Sequence, residues 1–188
     1  MYADYALSIG YLIALCALCA VFTGVAAPFL RALGIRPFAA GLTLFALVIL
    51  AALDGYAAAI FMLLPALALA FSMRWVTGAL VSVLSSASLG CVVFGVMSVC
   101  ARLPFPGVFG GAAAALLSAL LLYRRLRLSA AYGSMAFAVL ISFIFEGAFG
   151  VVPPLAQSAF FDAAVTSAIL APAVTLACER AGLKLRKT

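Results

Sequence analysis

Between Val76 and Ala101 the chain reads VTGALVSVLSSASLGCVVFGVMSVCA, a run without one charged side chain, bounded by Arg74 and Arg102. A bilayer's hydrocarbon core is about 30 Å thick and is crossed by roughly 20 consecutive apolar residues in a helix. The run meets that length with residues to spare, and it predicts a membrane-spanning helix. Working outward, the same test finds three candidates before it, at about Tyr5 to Leu30, Phe38 to Leu53 and Tyr56 to Met73. Three more follow, at about Gly107 to Tyr123, Ser129 to Val152 and Gln157 to Cys178. The second and third are short and are separated by Asp54-Gly55, a turn-forming dipeptide. Pro153-Pro154 stops the sixth, since proline can neither donate to nor fit within a helix interior. The predicted fold is all-α: one domain over residues 1–188, a polytopic transmembrane helical bundle of about seven spans.

Composition agrees. The chain has 188 residues, of which 69% are hydrophobic and 9% charged, and its mean hydropathy is +1.34. Soluble domains carry roughly 25% charged residues, and a soluble fold of this size could not hide so much apolar surface. The net charge of +6 is not read as a nucleic-acid footprint, because the basic residues sit between apolar runs or near the C-terminus. They act instead as topology signals. With seven spans, Arg31, Arg36, Arg74, Arg124, Arg125, Arg127, Arg180, Lys184, Arg186 and Lys187 share one side, ten of the eleven basic residues. Only Arg102, with Asp4 and Asp54, falls on the other. The positive-inside rule then puts the N-terminus outside and the C-terminus in the cytoplasm. A five-span count, with residues 38–73 as a re-entrant hairpin, keeps the same bias. Seven is preferred because backbone facing lipid must satisfy itself within helices. Met1 to Leu7 has no basic segment and carries Asp4, so no cleavable signal peptide is expected.

Most catalytic chemistries are excluded by residue type. The chain has no histidine, so Ser-His-Asp, Cys-His and His-based zinc sites cannot form. Cys16, Cys19, Cys91, Cys100 and Cys178 all lie in apolar segments, where cysteine behaves as a small buried residue rather than a metal or dithiol site. Gly107, Gly110 and Gly111 lack the spacing and the Lys-Ser/Thr ending of a phosphate loop and are read as allowing close helix packing. Gly78, Ser82 and Ser86 recur every four residues, a face of small side chains suited to helix association. A polar path along Ser82, Ser85, Ser86 and Ser88 is the alternative. No catalytic residue, metal site or cofactor is assigned, and the reading favours a non-enzyme.

Ionisable groups inside a span are costly and mark candidate sites. Two occur here. Glu146 is expected about six residues inside the outer end of the sixth span, and Asp162 about five inside the outer end of the seventh, each roughly 8–9 Å deep at the helical rise. Gln157 reaches the same region, and Asp54 and Arg102 flank it from neighbouring outer loops. Three readings follow: a site for a cation, proton or polar solute near the outer mouth; a proton-sharing carboxyl pair of the aspartic-protease kind; or two carboxylates facing interfacial water.

Leu33-Gly34 with Pro37, Pro65 with Leu67 and Leu69, Pro106-Gly107-Val108, Ala131-Tyr132 with Leu140-Ile141, and Phe161-Asp162 before Ile169-Leu170-Ala171 occur in order along the chain. In these the chain resembles a bacterial polytopic membrane family, domain of unknown function family 1614. It departs from that pattern at Gln157-Ser158-Ala159-Phe160, where the family has glycines, and at Glu146, which stands in the region of the family's aspartate. The resemblance implies a membrane protein and no activity. Pro28 with Leu33-Gly34-Ile35-Arg36-Pro37 is similar to the end of the first span in MreD-type rod-shape proteins, and by size alone the bundle looks like the substrate-binding subunits of energy-coupling-factor transporters. The resulting expectation is a multi-pass protein of a bacterial cytoplasmic (inner) membrane that binds or transports a solute or ion through an outer polar pocket. A cell-envelope scaffold and a carboxylate-dyad protease are the alternatives. Its expected partners are the lipid bilayer and other membrane proteins or a second copy, and not nucleic acid.

Overall fold

The computed structural model describes residues 9–73, 76–121, 124–150 and 155–181. Among them every regular element is helical and there is no strand. In chain order the helices are α1 (Ile9–Phe22), α2 (Ala27–Ala32), α3 (Pro37–Leu53), α4 (Gly55–Phe61), α5 (Leu63–Phe71), α6 (Val76–Val99), α7 (Pro106–Ser118), α8 (Arg124–Phe149) and α9 (Gln157–Arg180), with a 3₁₀ turn at Cys100–Arg102. Three stretches are long and apolar enough to cross a membrane: Thr77–Arg102, Arg124–Ala148 and Gln157–Arg180. They mark a membrane protein. The apolar helices at Ile9–Phe22, Pro37–Ala51, Gly55–Phe71 and Pro106–Ser118 are shorter.

Several boundaries differ from the sequence reading, each for a local reason. The first span does not continue to Leu30. It ends at Phe22, and Gly24 adopts φ +79°, a left-handed conformation that glycine reaches without steric cost. The chain then turns into the six-residue α2, whose Pro28 occupies an opening position, where a missing N–H costs nothing. The third span is interrupted at Met62, between α4 and α5. Pro65 has no N–H to offer the Phe61 carbonyl one turn back, which breaks the ladder there. The sixth span starts five residues earlier than expected, at Arg124, and ends at Phe149 with Gly150 at φ +61°. Pro153-Pro154, expected to stop it, lies outside the described residues. The Asp54-Gly55 turn is present: Asp54 ends α3 and caps α4, its Oδ1 accepting from the Tyr56 amide at 2.9 Å.

Close approach through small residues organises the bundle. On α6, Ser82 and Ser86 are buried and face α8. Ser82 Oγ and Ser129 Oγ lie 2.5 Å apart, and Ser129 Oγ donates to the Ala66 carbonyl of α5 at 2.8 Å. A β-carbon on Gly133 would run into Ser86, and one on Gly90 into Phe137. Steps of four on α6 thus meet steps of four on α8 in the same chain direction, so the two helices run parallel. Gly78, grouped with these serines in the sequence reading, instead packs on Met73. The serines serve packing: Ser86 Oγ bonds the Ser82 carbonyl within the helix, while Ser88 is exposed.

Helix α9 forms the centre. Phe160, Phe161, Ala163, Ala164 and Val165 are almost wholly buried. Glycines of three other helices lie against it: Gly10 of α1 meets Asp162, Gly55 of α4 meets Gln157, and Gly107 and Gly111 of α7 meet Ala159 and Ala163. Outward, α6 leaves Leu80, Leu84 and Val99 exposed, and α8 leaves Leu140, Phe143 and Ile144 exposed. Apolar surface on this scale fits lipid as its solvent.

Candidate functional site

The two ends of the bundle have opposite chemistry. At one end the first described turns of α1, α4, α7 and α9 converge, because Gly10, Gly55 and Gly107 all pack on the opening turns of α9. Helix N-termini carry partial positive charge and amides without an intrahelical acceptor. Asp162 sits among them, 5% exposed, and its Oδ1 accepts a hydrogen bond from the Gly10 amide at 3.0 Å. The side chain is close to the α7 backbone as well, since a β-carbon on Gly107 would meet Asp162 Cβ. One turn along α9, Thr166 is also buried, its Oγ1 without a hydrogen-bond partner. Burial of a carboxylate is costly unless it is hydrogen-bonded or compensated, and the Gly10 amide contributes to that compensation.

At the other end the first turn of α8 carries Arg124, Arg125 and Arg127, and each reaches the carboxyl end of another helix. Arg124 Nη2 donates to the Ala32 carbonyl closing α2 at 2.9 Å. Arg125 Nη1 donates to the Ser72 carbonyl after α5 at 2.7 Å. Arg127, only 4% exposed, donates from Nε to the Leu121 carbonyl after α7. Arg124 Nε also lies 3.4 Å from Glu179 Oε1 in the last turn of α9, close enough for an ion pair but outside hydrogen-bond geometry. Carbonyls at helix C-termini lack intrahelical donors, and cations there oppose the negative pole. The sequence reading took these arginines as loop charges; they bind helix ends.

The five residues predicted to line an outer site fall into two groups. Asp54, Gln157 and Asp162 come to the same end, with Gln157 against Gly55 and Asp54 capping α4. Glu146, in the closing turn of α8, and Arg102, after α6, lie toward that end too and are exposed. Glu146 lies in the last turn of α8 rather than six residues inside it, because that helix stops at Phe149. One carboxyl is thus buried and the other exposed.

The space that sequence reasoning missed lies toward the arginine end. A cavity of about 470 Å³ is walled by Ala17 and Ala20 of α1, Ala39, Ala40 and Leu44 of α3, Pro65 and Leu69 of α5, Leu128 and Tyr132 of α8, and Ala168 and Pro172 of α9, with Phe29 and Leu30 of α2 beside them. Its walls are nearly all apolar. Alanines at contact positions on four helices leave the gap, whereas leucines there would fill it. Thr43, also on the wall, spends its hydroxyl on the Ala39 carbonyl. A second space of about 280 Å³ lies between α4–α5 and α8, lined by Ile60, Phe137 and Phe143 among others. None of the five predicted residues lines either one.

No family model, curated protein or solved structure matches the chain.

Proposed function

We propose that this is a small membrane-embedded solute-binding protein, multi-pass in a bacterial cytoplasmic membrane, whose binding chamber is the apolar cavity between α1, α3, α5, α8 and α9. The observation that carries the reading is the chamber itself. At about 470 Å³ it falls within the range of small-molecule sites, which are concave, mostly apolar and sparing in polar groups. The solute-binding class expected from the sequence is retained, and its place moves from the Glu146–Asp162 end to the arginine end.

Seven crossings, with the arginine end cytoplasmic, are part of the same proposal. Support comes from the ten-to-one basic bias in the sequence and from the packing directions, parallel for α6 with α8 and for α7 with α9. At 13 residues, α7 is only about 20 Å long at the helical rise. Its buried face of Gly107, Gly110, Gly111, Ala114 and Ala115 packs within the bundle, and non-helical backbone at membrane depth is tolerated where protein covers it.

The test is a titration of the protein, in phosphatidylcholine nanodiscs, with a neutral environment-sensitive probe such as a dansyl-labelled undecanoate methyl ester, against empty nanodiscs. Ala40→Phe and, separately, Ala168→Leu fill the chamber from two sides. Each is expected to weaken binding about tenfold, the scale of a moderate overpacking cost. Binding at wild-type strength in both variants would contradict the proposal.

A further inference from the structure

We infer that the chamber's ligand is an anionic single-chain amphiphile, its apolar chain in the cavity and its carboxylate or phosphate held by Arg31 and Arg36. This rests on the binding reading above and adds the class of ligand. The argument begins with what adjoins the cavity wall. Leu30 and Ile35 line it, and the next residue in the chain after each is an exposed arginine. Three arginines at this end, Arg124, Arg125 and Arg127, are committed to carbonyls that end α2, α5 and α7, and Arg180 closes α9 without lining the space or adjoining a residue that does. Arg31 and Arg36 flank the Gly34 turn, where the backbone takes φ +70°. That turn sets two guanidinium-bearing positions beside one apolar space.

The wall selects for the rest of the ligand. With Thr43's hydroxyl already bonded to Ala39, the Tyr132 phenol is the other side-chain polar group on an otherwise apolar wall, so a sugar or an amino acid would leave most of its hydrogen-bonding groups unsatisfied. A hydrocarbon chain loses nothing there. A volume of about 470 Å³ accommodates on the order of fifteen groups of water-like size at about 30 Å³ each. That is room enough for one hydrocarbon chain. Guanidinium groups hold carboxylate and phosphate oxygens through paired, charge-assisted hydrogen bonds. An amphiphile lying at the membrane boundary would present chain and head in that order.

The experiment compares 11-(dansylamino)undecanoic acid with its methyl ester in the same nanodiscs, at a pH where the acid is ionised. One charge-assisted contact predicts that the acid binds about tenfold more tightly than the ester. In Arg31→Gln/Arg36→Gln that preference should fall to about twofold or less. Unlabelled decanoate should displace the acid, and added phosphatidylglycerol should not. Equal affinity for acid and ester, a preference that survives the double substitution, or displacement by phosphatidylglycerol would each overturn this assignment while leaving the chamber a binding site. Loss of the ester's sensitivity to Ala40→Phe and Ala168→Leu would instead overturn the binding reading beneath it.

Discussion

At Asp162 a charge normally excluded from a membrane interior has a place made for it. Its Oδ1 takes the Gly10 amide, and the opening turn of α7 packs against it at Gly107. Asparagine preserves the acceptor and alanine does not. Asp162→Asn is therefore expected to keep the purified protein within about 1 kcal/mol of wild type, whereas Asp162→Ala leaves a buried amide unpaired at a cost of about 1–3 kcal/mol. Thermal unfolding in detergent checks this, and equal melting of the two variants would count against the capping role. The arginines invite a similar comparison. Arg127 is buried on the Leu121 carbonyl, so Arg127→Leu should cost about 1–3 kcal/mol, as loss of a buried partner does. Arg125 is exposed, and Arg125→Leu should cost less than about 1 kcal/mol. The sequence made Asp162 visible as a candidate because a carboxylate within an apolar run stands out. It did not reveal the Gly10 amide as a partner, since Gly10 is 152 residues away and contributes only backbone.

Among elements, the small-residue repeat on α6 was legible and its partner was not. A four-residue spacing of Ser82 and Ser86 says that some helix comes close. Only the fold identifies it as α8 at Ser129 and Gly133 and adds Gly90 to the row. The glycines of α7 were likewise read as packing residues, and they pack on α9. Gly133→Leu should separate α6 from α8 and cost about 1–3 kcal/mol or more. Gly95, with nothing near where a β-carbon would stand, is the matched control: Gly95→Ala should be neutral or slightly stabilising, because alanine is the better helix former. Differential scanning of both variants in one detergent decides this. The positions of breaks escaped the sequence reading because hydropathy averages over them. Gly24 and the Met62 interruption both lie inside apolar runs, so they are invisible to a count of apolar residues. The arginines of α8 escaped for a related reason: cations at a helix start oppose its dipole, which favoured a loop, and three foreign carbonyls outweigh that penalty.

For the whole molecule, the polarity of the two ends joins fold to function. Asp162 and the opening turns of α4, α7 and α9 gather at one end; at the other, arginines on the opening turn of α8 bind the closing turns of α2, α5 and α7, with the apolar chamber next to them. The chamber had no signature in the sequence, because alanines that leave a gap and alanines that permit close packing are the same letter. Its value as a binding site depends on the bundle crossing the bilayer with the arginine end at the cytoplasmic boundary, and one measurement tests that most directly. In a background with the five native cysteines replaced by alanine, single cysteines at Asp54, Arg102 and Arg36 are exposed to a membrane-impermeant maleimide in intact cells and again after permeabilisation. Positions 54 and 102 should label in intact cells, and position 36 only once the membrane is opened. Labelling of position 36 in intact cells, or of position 54 only after permeabilisation, would contradict the account.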